Sequence, residues 1–297
     1  MINHLSFELF HLMQFNRLNR KKVQHYLKSD RRLNKLNDLT INDLQTAFQM
    51  SPQDSIHLYN HLHDAERKTN SNILYKKFSP LTIFDSAFPK SLKQIPDPPL
   101  ILYWKGNLSL LSKKRVAVIG SRRPSKQASL KINTLLKPMI ENDITIVSGL
   151  AYGIDAMSHQ LALQLSGNTI AVLGFGFHHI YPKQHLSLFQ SIAKNGLIIS
   201  EYPPHMKPQK WHFPERNRLI SGLSSAVLII EAAEKSGTMI TADQALEQGK
   251  EVFAVPDSIF LNEAKGCLKL IQEGATPIIN GDQLLEHLTH LFRYEIG

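Results

Sequence analysis

The 297-residue sequence predicts an α/β protein whose main domain is a doubly wound, mostly parallel sheet, with a small all-helical domain ahead of it. Three observations carry this. Short, near-continuous apolar runs recur from residue 115 onward, each followed by a stretch of helical character. Strands apolar on both sides belong in a parallel sheet covered by helices on both faces. Ahead of them, residues 1–68 repeat apolar positions three and four apart in short pieces, as in "FELFHLMQF" and "INDLQTAFQMSPQDSIHLYNHL", the spacing of a helical bundle.

Between the two lies a lead-in, residues 69–112, read as prolyl and irregular, with one apolar strand after the proline brake of "IPDPPLILYWKGN". The strand series then runs "RVAVIG" (115–120), "ITIVSG" (144–149), "TIAVLG" (169–174), "GLIISEY", "AVLIIEA" and "EVFAVPD", with "TPIIN" as a weaker last member. Helices are expected near 125–141, 154–165 and 183–194, and after each later strand. The domains are therefore drawn at 1–68, 69–112 and 113–297. In a doubly wound sheet the ligand sits beyond the C-terminal strand ends, so the residues directly after each strand are the candidates.

The charge balance narrows the ligand. The chain carries a formal net charge of +9, and the whole surplus lies in residues 1–115, with 18 Lys and Arg against 9 Asp and Glu. Residues 116–297 hold 16 of each. A basic excess points first to nucleic acid and then to a membrane surface. The single cysteine, Cys267, excludes an internal disulfide framework. The N-terminus lacks the basic-then-apolar order of a signal peptide, and no run approaches 18 apolar residues, so a cytoplasmic protein is expected.

After the first strand comes "GSRRPS": Gly120 permits a tight turn, helix-start amides with Ser121 suit an anion, and Arg122 and Arg123 add charge. Surface arginines on an ordinary turn are the competing reading. A G-x-G-x-x-G fingerprint is absent there, which argues against a plain dinucleotide site. After the second strand, Gly149 and Gly153 flank a loop that lets backbone approach a ligand. Asp155 and His159, four apart on the next helix, could present two metal ligands, but no third or fourth is evident. Asp155 reads better as the group that orders the loop, and no metal or cofactor is expected. "GFGFHHIYPKQH", after the third strand, is a weak signal whose histidines read as polar packing.

The richest stretch is "KWHFPERNRLISGLSSAVLIIEAAEKSGTMIT" (210–241). Lys210, Arg216 and Arg218 surround Phe213, and Asn217 can hydrogen-bond a phosphate or a base edge. Cations neutralise phosphates and an exposed ring gives bases a face to stack on. The competing reading makes Trp211 and Phe213 core residues and the cations a solvated face. Past the strand, Ser236, Gly237 and Thr238 form a turn at a helix start whose amides and hydroxyls again suit an anion. Glu231 could serve as an acid or base in a nucleotide hydrolase, or as a structural acceptor. No G-x-S-x-G elbow, H-E-x-x-H, Walker loop or cysteine cluster occurs, which favours binding over catalysis. A nucleotide hydrolase, or a nucleotide sensor, stays open as the alternative.

The motifs "VAVIGSRR", "TIVSGLAYGID", "TIAVLGFGFHHIYP", "SEYPP", "HFPERNRLISGLSSAVLIIEAAEKSGTMIT", "EVFAVPDSI" and "LIQEGA", with the entry segment "FPKSLKQIPDPPLILYWKGN", resemble the DNA-processing protein DprA (Smf) family over about residues 80–280. The resemblance implies an extended Rossmann-like domain that binds single-stranded DNA and helps load the recombinase RecA during natural transformation. It also implies a homodimer formed through the C-terminal part of that domain, and a sterile-alpha-motif-like N-terminal domain. The family's phosphate pocket falls on Gly120, Ser121, Arg122, Lys210, Phe213, Arg216, Asn217, Arg218, Ser236 and Gly237. The sequence departs from the family pattern at Tyr152, where arginine is common, and at Leu268, where asparagine is usual. It stops soon after Leu288, so the expectation is of no appended winged-helix domain.

Overall fold

The computed structural model describes residues 3–294 and divides the chain into two compact units. The first comprises residues up to 88 together with 97–103. Its helices are α1 (His4–Met13), α2 (Arg20–Ser29), α3 (Ile41–Phe48), α4 (Pro52–His63) and α5 (Ala65–Phe78), followed by strand β1 (Leu81–Thr82). Local chemistry sets their starts. Thr40 and Asp43 form a reciprocal capping box on α3, Ser51 caps α4 ahead of Pro52, and Asp64 caps α5. Leu9, Phe10, Leu12, Leu44, Phe48 and Leu58 fill the interior with no exposed surface. Each such side chain contributes about 1.5–3 kcal/mol of burial. His11 is also fully buried, stacked on His61 at 4.5 Å, and burial followed by the His61 charge pushes it down to about 4. One expectation is corrected here. Residues 70–78 are not irregular but complete α5, because Asp64 starts the helix and Ser79, with φ +43, ends it.

The second unit comprises residues 89–96 and everything from 104. It opens with the single turn α6 (Lys90–Lys93). Strand β2 (Ile101–Gly106) belongs to the first unit through residue 103, where it pairs antiparallel with β1. The α/β series follows: β3 (Arg115–Ile119), α7 (Ala128–Glu141), β4 (Thr145–Ser148), α8 (Ile154–Gln164), β5 (Thr169–Leu173), α9 (Leu186–Asn195), β6 (Leu197–Ser200), α10 (His212–Leu223), β7 (Ala226–Ile229), α11 (Gly237–Glu247), β8 (Glu251–Ala254), α12 (Lys265–Gln272), β9 (Thr276–Pro277) and α13 (Gly281–Tyr294).

These strands lie in the order β6-β5-β4-β3-β7-β8-β9, and every pair is parallel. Register is set by strands buried on both faces: Val116, Val118, Ile146 and Leu228 pack under α7 and α13, against Ile132, Leu136, Met139, Leu284 and Leu288. A second apolar cluster joins Ala171, Leu173 and Ile198 to Phe189 and Ile192 of α9. The mostly parallel, doubly wound sheet read from the sequence is the one observed. Its chain reversal is the feature that matters for function. From β3 the chain winds out through β4, β5 and β6, then returns to place β7 on the other side of β3. A crevice must open at that switch, between the loops leaving β3 and β7.

Candidate nucleic-acid interface

At the carboxyl ends of β3 and β7 lies a cleft of about 410 Å³. Ile119, Gly120, Ser121, Arg122 and Arg123 line one side, and Ala233, Ser236, Gly237, Thr238 and Thr241 another. Ala151, Asp155, Arg216, Asn217 and Ile220 form the remainder.

The loop after β3 is held by backbone bonds. The Ser121 amide donates to Glu231 O at 2.7 Å, the Ile154 amide donates to Ser121 O at 3.1 Å, and the Ser121 hydroxyl accepts from the Arg123 amide at 3.1 Å. Gly153 makes this close approach possible. Its φ is +73, and a Cβ there would sit 2.2 Å from Ser121 O. The turn leaves the Arg122 and Arg123 side chains exposed. Arg122 projects over the Phe213 ring at 6.0 Å, within cation–π reach.

The opposite wall is the start of α11. Ser236 stands at its N-cap in an extended conformation with no side-chain cap bond, and the first turn holds no acidic residue. The positive end of the helix dipole, with its leading amides, therefore faces the cleft uncompensated by protein charge. A Cβ on Gly237 would meet nothing within 4 Å, so the space before these amides is open.

Arg216 forms the floor. It is 4% exposed, and its Nη1 donates to Gly149 O and to Val172 O, each at 2.5 Å, while Nε donates to Asn217 Oδ1 at 3.1 Å. Burial lowers its pKa to about 10, against the opposing pull of Asp155, so it keeps its charge at neutral pH. Gly149 has no side chain because a Cβ would lie 2.2 Å from that guanidinium. Asp155 accepts from the Gly149 and Ala151 amides at 3.1 and 3.4 Å and orders the loop after β4, as the sequence suggested. Burial raises its carboxyl above the usual range, with Arg216 and the amides acting in the opposite sense. His159 does not join Asp155 on a metal. Its Nδ1 meets Thr169 Oγ1 at 2.6 Å, and burial, then Arg216, lowers its pKa to about 3. Among the described residues, no group of three or more His, Cys, Asp or Glu could hold a metal ion.

The candidates thus separate. Gly120, Ser121, Arg122, Arg123, Arg216, Asn217, Ser236, Gly237 and Thr238 meet at the cleft. Gly149 and Gly153 lie beneath it as packing positions. Phe213 is half-buried at the edge, beside Tyr181 at 5.6 Å and Phe175 at 6.5 Å. Lys210 is exposed, three residues upstream of Phe213, and does not line the cleft. Arg218 is not brought there either: it is buried and its Nη2 donates to Glu201 Oε2 at 2.6 Å. Trp211 is not core, being 64% exposed. Two features escaped the sequence reading. Tyr181 lies next to Phe213 and is 47% exposed. Thr241 lines the cleft beside Thr238, and their spacing of three along a helix was the available signal. Tyr152 points elsewhere and donates to Gln184 Oε1 at 2.6 Å.

Glu231 takes the structural of its two readings. It is 1% exposed and accepts from the Ser125 amide at 2.7 Å, the Ser125 hydroxyl at 2.5 Å and Lys131 Nζ at 2.7 Å. Lys131 also binds Asp257. Burial alone would lower the ammonium, but the two carboxylates more than offset this and hold it above its ordinary value.

The family model described as DNA recombination-mediator protein A matches residues 79–289. A DNA processing protein DprA of Bacillus subtilis is 48% identical over 209 residues, covering 70% of each chain. One from Streptococcus pneumoniae is 44% identical over 211 residues, covering 71% of this chain and 74% of the other. The X-ray structure of DNA processing protein A from Streptococcus pneumoniae superposes with a TM-score of 0.86 at 36% identity, covering 96% of this chain and 98% of that one. A structure of the Helicobacter pylori DNA processing protein A, concerned with its single-stranded DNA binding mode, gives 0.65 at 35% identity, covering 72% and 97%.

Proposed function

The chain belongs to the DNA recombination-mediator protein A family, and from that premise we propose that it binds single-stranded DNA at the switch-point cleft. In this reading it is a binding protein, not an enzyme. It protects incoming DNA and loads the recombinase RecA during natural transformation, acting in the cytoplasm as a homodimer paired through the C-terminal part of the second unit.

The observation that carries the DNA reading is the pairing of Arg122 and Arg123 with the open amide end of α11 across one cleft. Backbone amides and guanidinium groups are donors only, so what fits between them is an anion of phosphate type. The rim supports reading that anion as part of a strand. Phe213, under Arg122, and Tyr181 beside it offer rings at the edge of the cleft, and the exposed Lys210 and Trp211 precede Phe213 in the chain. Bases stack on such rings with little regard to sequence, and phosphate contacts carry no base information. Duplex DNA keeps its bases paired and cannot use them. The hydrolase alternative gains no support from Glu231, whose carboxylate is engaged by Ser125 and Lys131.

The test is a titration of single- and double-stranded oligonucleotides at two salt concentrations, using the parent chain, Arg122→Ala and Lys210→Ala. Each variant is expected to weaken single-strand binding and to flatten its salt dependence by about 0.7 in log K per log salt. Two variants that bind like the parent would refute the assignment. Base release from nucleoside monophosphates that Glu231→Gln abolishes would establish the hydrolase instead.

A further inference from the structure

The first unit carries a charge arrangement that its own folding does not call for. Residues 20–35 hold seven Lys and Arg against a single acid, Asp30. Arg20, Lys21 and Lys22 occupy the first turn of α2, where the helix dipole is positive and cations are disfavoured. Asn19 supplies the N-cap by accepting from the Lys22 amide at 3.0 Å, so the cations do not serve as caps. Two of the seven have partners within the unit: Arg20 pairs with Asp97, and Lys22 Nζ donates to Gln49 O at 2.9 Å. Lys21, Lys28, Arg31, Arg32 and Lys35 are exposed, and none forms an ion pair among the described residues.

Their placement is ordered. Lys21, His25 and Lys28 stand at i, i+4 and i+7 and form one exposed stripe, while Val23 and Tyr26 on the other side are buried. The stripe runs for about 10 Å along the helix. Arg31 and Arg32 follow directly after its C-terminal end. Asp30, held ionised by the Tyr26 hydroxyl and by the Asn34 and Lys35 amides, offsets one of these five exposed cations and leaves a surplus of four. At the N-terminal end of the stripe, a recess of about 200 Å³ is lined by Asn19, Lys21, Lys22, His25 and Gln49, with no acidic residue.

We infer that this face of α2 is a second contact for the nucleic-acid backbone, separate from the cleft, with Lys21 and its recess seating one phosphate and Lys28 with Arg32 the following ones. Like charges held against a helix dipole lower the stability of the free unit, and a polyanion relieves that repulsion where a neutral partner does not. A run of cations that outnumbers its single acid matches a strand of phosphates, with no base readout. The identification of the polyanion as the single strand bound at the cleft rests on the function proposed above. The face itself is argued from the first unit alone.

The experiment uses the full chain carrying Lys21→Gln, Lys28→Gln and Arg32→Gln together, with Lys21→Arg plus Lys28→Arg as the charge-conserving control. All are exposed, helix-tolerant substitutions, and circular dichroism melts confirm folding. Binding of a long oligothymidine is measured across salt. The triple variant is expected to lose about 2 from the log K against log salt slope, at about 0.7 per phosphate contact, and at least about tenfold in affinity at low salt. The arginine control keeps the parent slope. Parent-like affinity and slope in the folded triple variant overturn the inference, as does loss of binding to phosphatidylserine vesicles with DNA binding unchanged. Arg122→Ala in parallel separates the two claims. If it weakens binding and the triple variant does not, the cleft stands and this site falls. If only the triple variant weakens binding, this site stands and the cleft falls.

Discussion

Replacing Arg216 by methionine separates a phosphate ligand from a structural cation. Arg216 lies in the middle of the motif that resembles the family's DNA-binding stretch, yet the structure spends its Nη1 on the carbonyls of Gly149 and Val172 at 2.5 Å. Its guanidinium is also the positive charge that favours ionisation of the buried Asp155. Methionine of similar length would leave two carbonyls without that donor and a buried carboxyl without its counter-charge. Removing one partner of a buried charged pair costs about 3–5 kcal/mol. For a unit of this size that is a fall in Tm of about 10 °C. Arg122→Ala, an exposed side chain, should stay within about 0.5 kcal/mol of the parent in stability while losing DNA affinity. The assay is a urea melt followed by fluorescence for each variant, beside oligonucleotide binding at a temperature where both are folded. Adding Asp155→Asn to Arg216→Met should recover part of the loss, since the two sites are coupled. An Arg216→Met protein with parent stability and no DNA binding would refute the structural assignment and return Arg216 to the ligand.

Gly153→Ala should destabilise the chain by more than about 1 kcal/mol and weaken DNA binding, because φ +73 is strained for alanine and the new Cβ meets Ser121 O. Parent-like melting and binding would remove Gly153 from the architecture of the cleft. Lys131→Met leaves Glu231 buried against Asp257 with no cation between them, and should cost about 3 kcal/mol; an unchanged urea midpoint contradicts it. Acid should destabilise both units. His11 and His159 have folded pKa values of about 4 and about 3, below the unfolded value of about 6.5. Their neutral forms therefore contribute stability that is fully present above pH 6.5 and is lost progressively as pH falls toward those values. Urea midpoints from pH 7 to 4 read this directly, and His159→Gln should make the acid limb shallower; an unaltered limb counts against it.

The alternation of apolar strands with helices was legible because strands buried on both faces must be written as apolar runs, and β3 to β8 each fall inside such a run. The turn Gly120–Arg123 and the α11 start at Ser236–Thr238 were legible for a related reason. Both follow directly on a strand, and in this topology strand ends converge. Residues 70–78 were misread because a polar sequence, "NSNILYKKF", shows no apolar stripe. The helix there is propagated from the Asp64 cap rather than nucleated by a buried face.

The division between sequence and structure is sharpest in α10. The sequence alone settled that Arg216, Asn217 and Arg218 follow one another beside a strand end, and so that cations gather near the ligand crevice. It could not settle which of them faces the crevice. Residues two apart on a helix point about 200° away from each other, so at most one of the two arginines can share a face with the cleft. The choice depends on how α10 is rotated, and that rotation is set by packing against other parts of the chain. Leu92 and Ile95 press on Gly222, the β4 and β5 carbonyl ends receive Arg216, and Glu201 after β6 receives Arg218. Those partners lie 17 to 130 residues away in sequence. Local chemistry therefore determined that donors would gather at the strand ends, and only long-range packing decided that Arg122, Arg123 and the α11 start line the cleft over the floor residue Arg216, while Arg218 holds up the fold at Glu201.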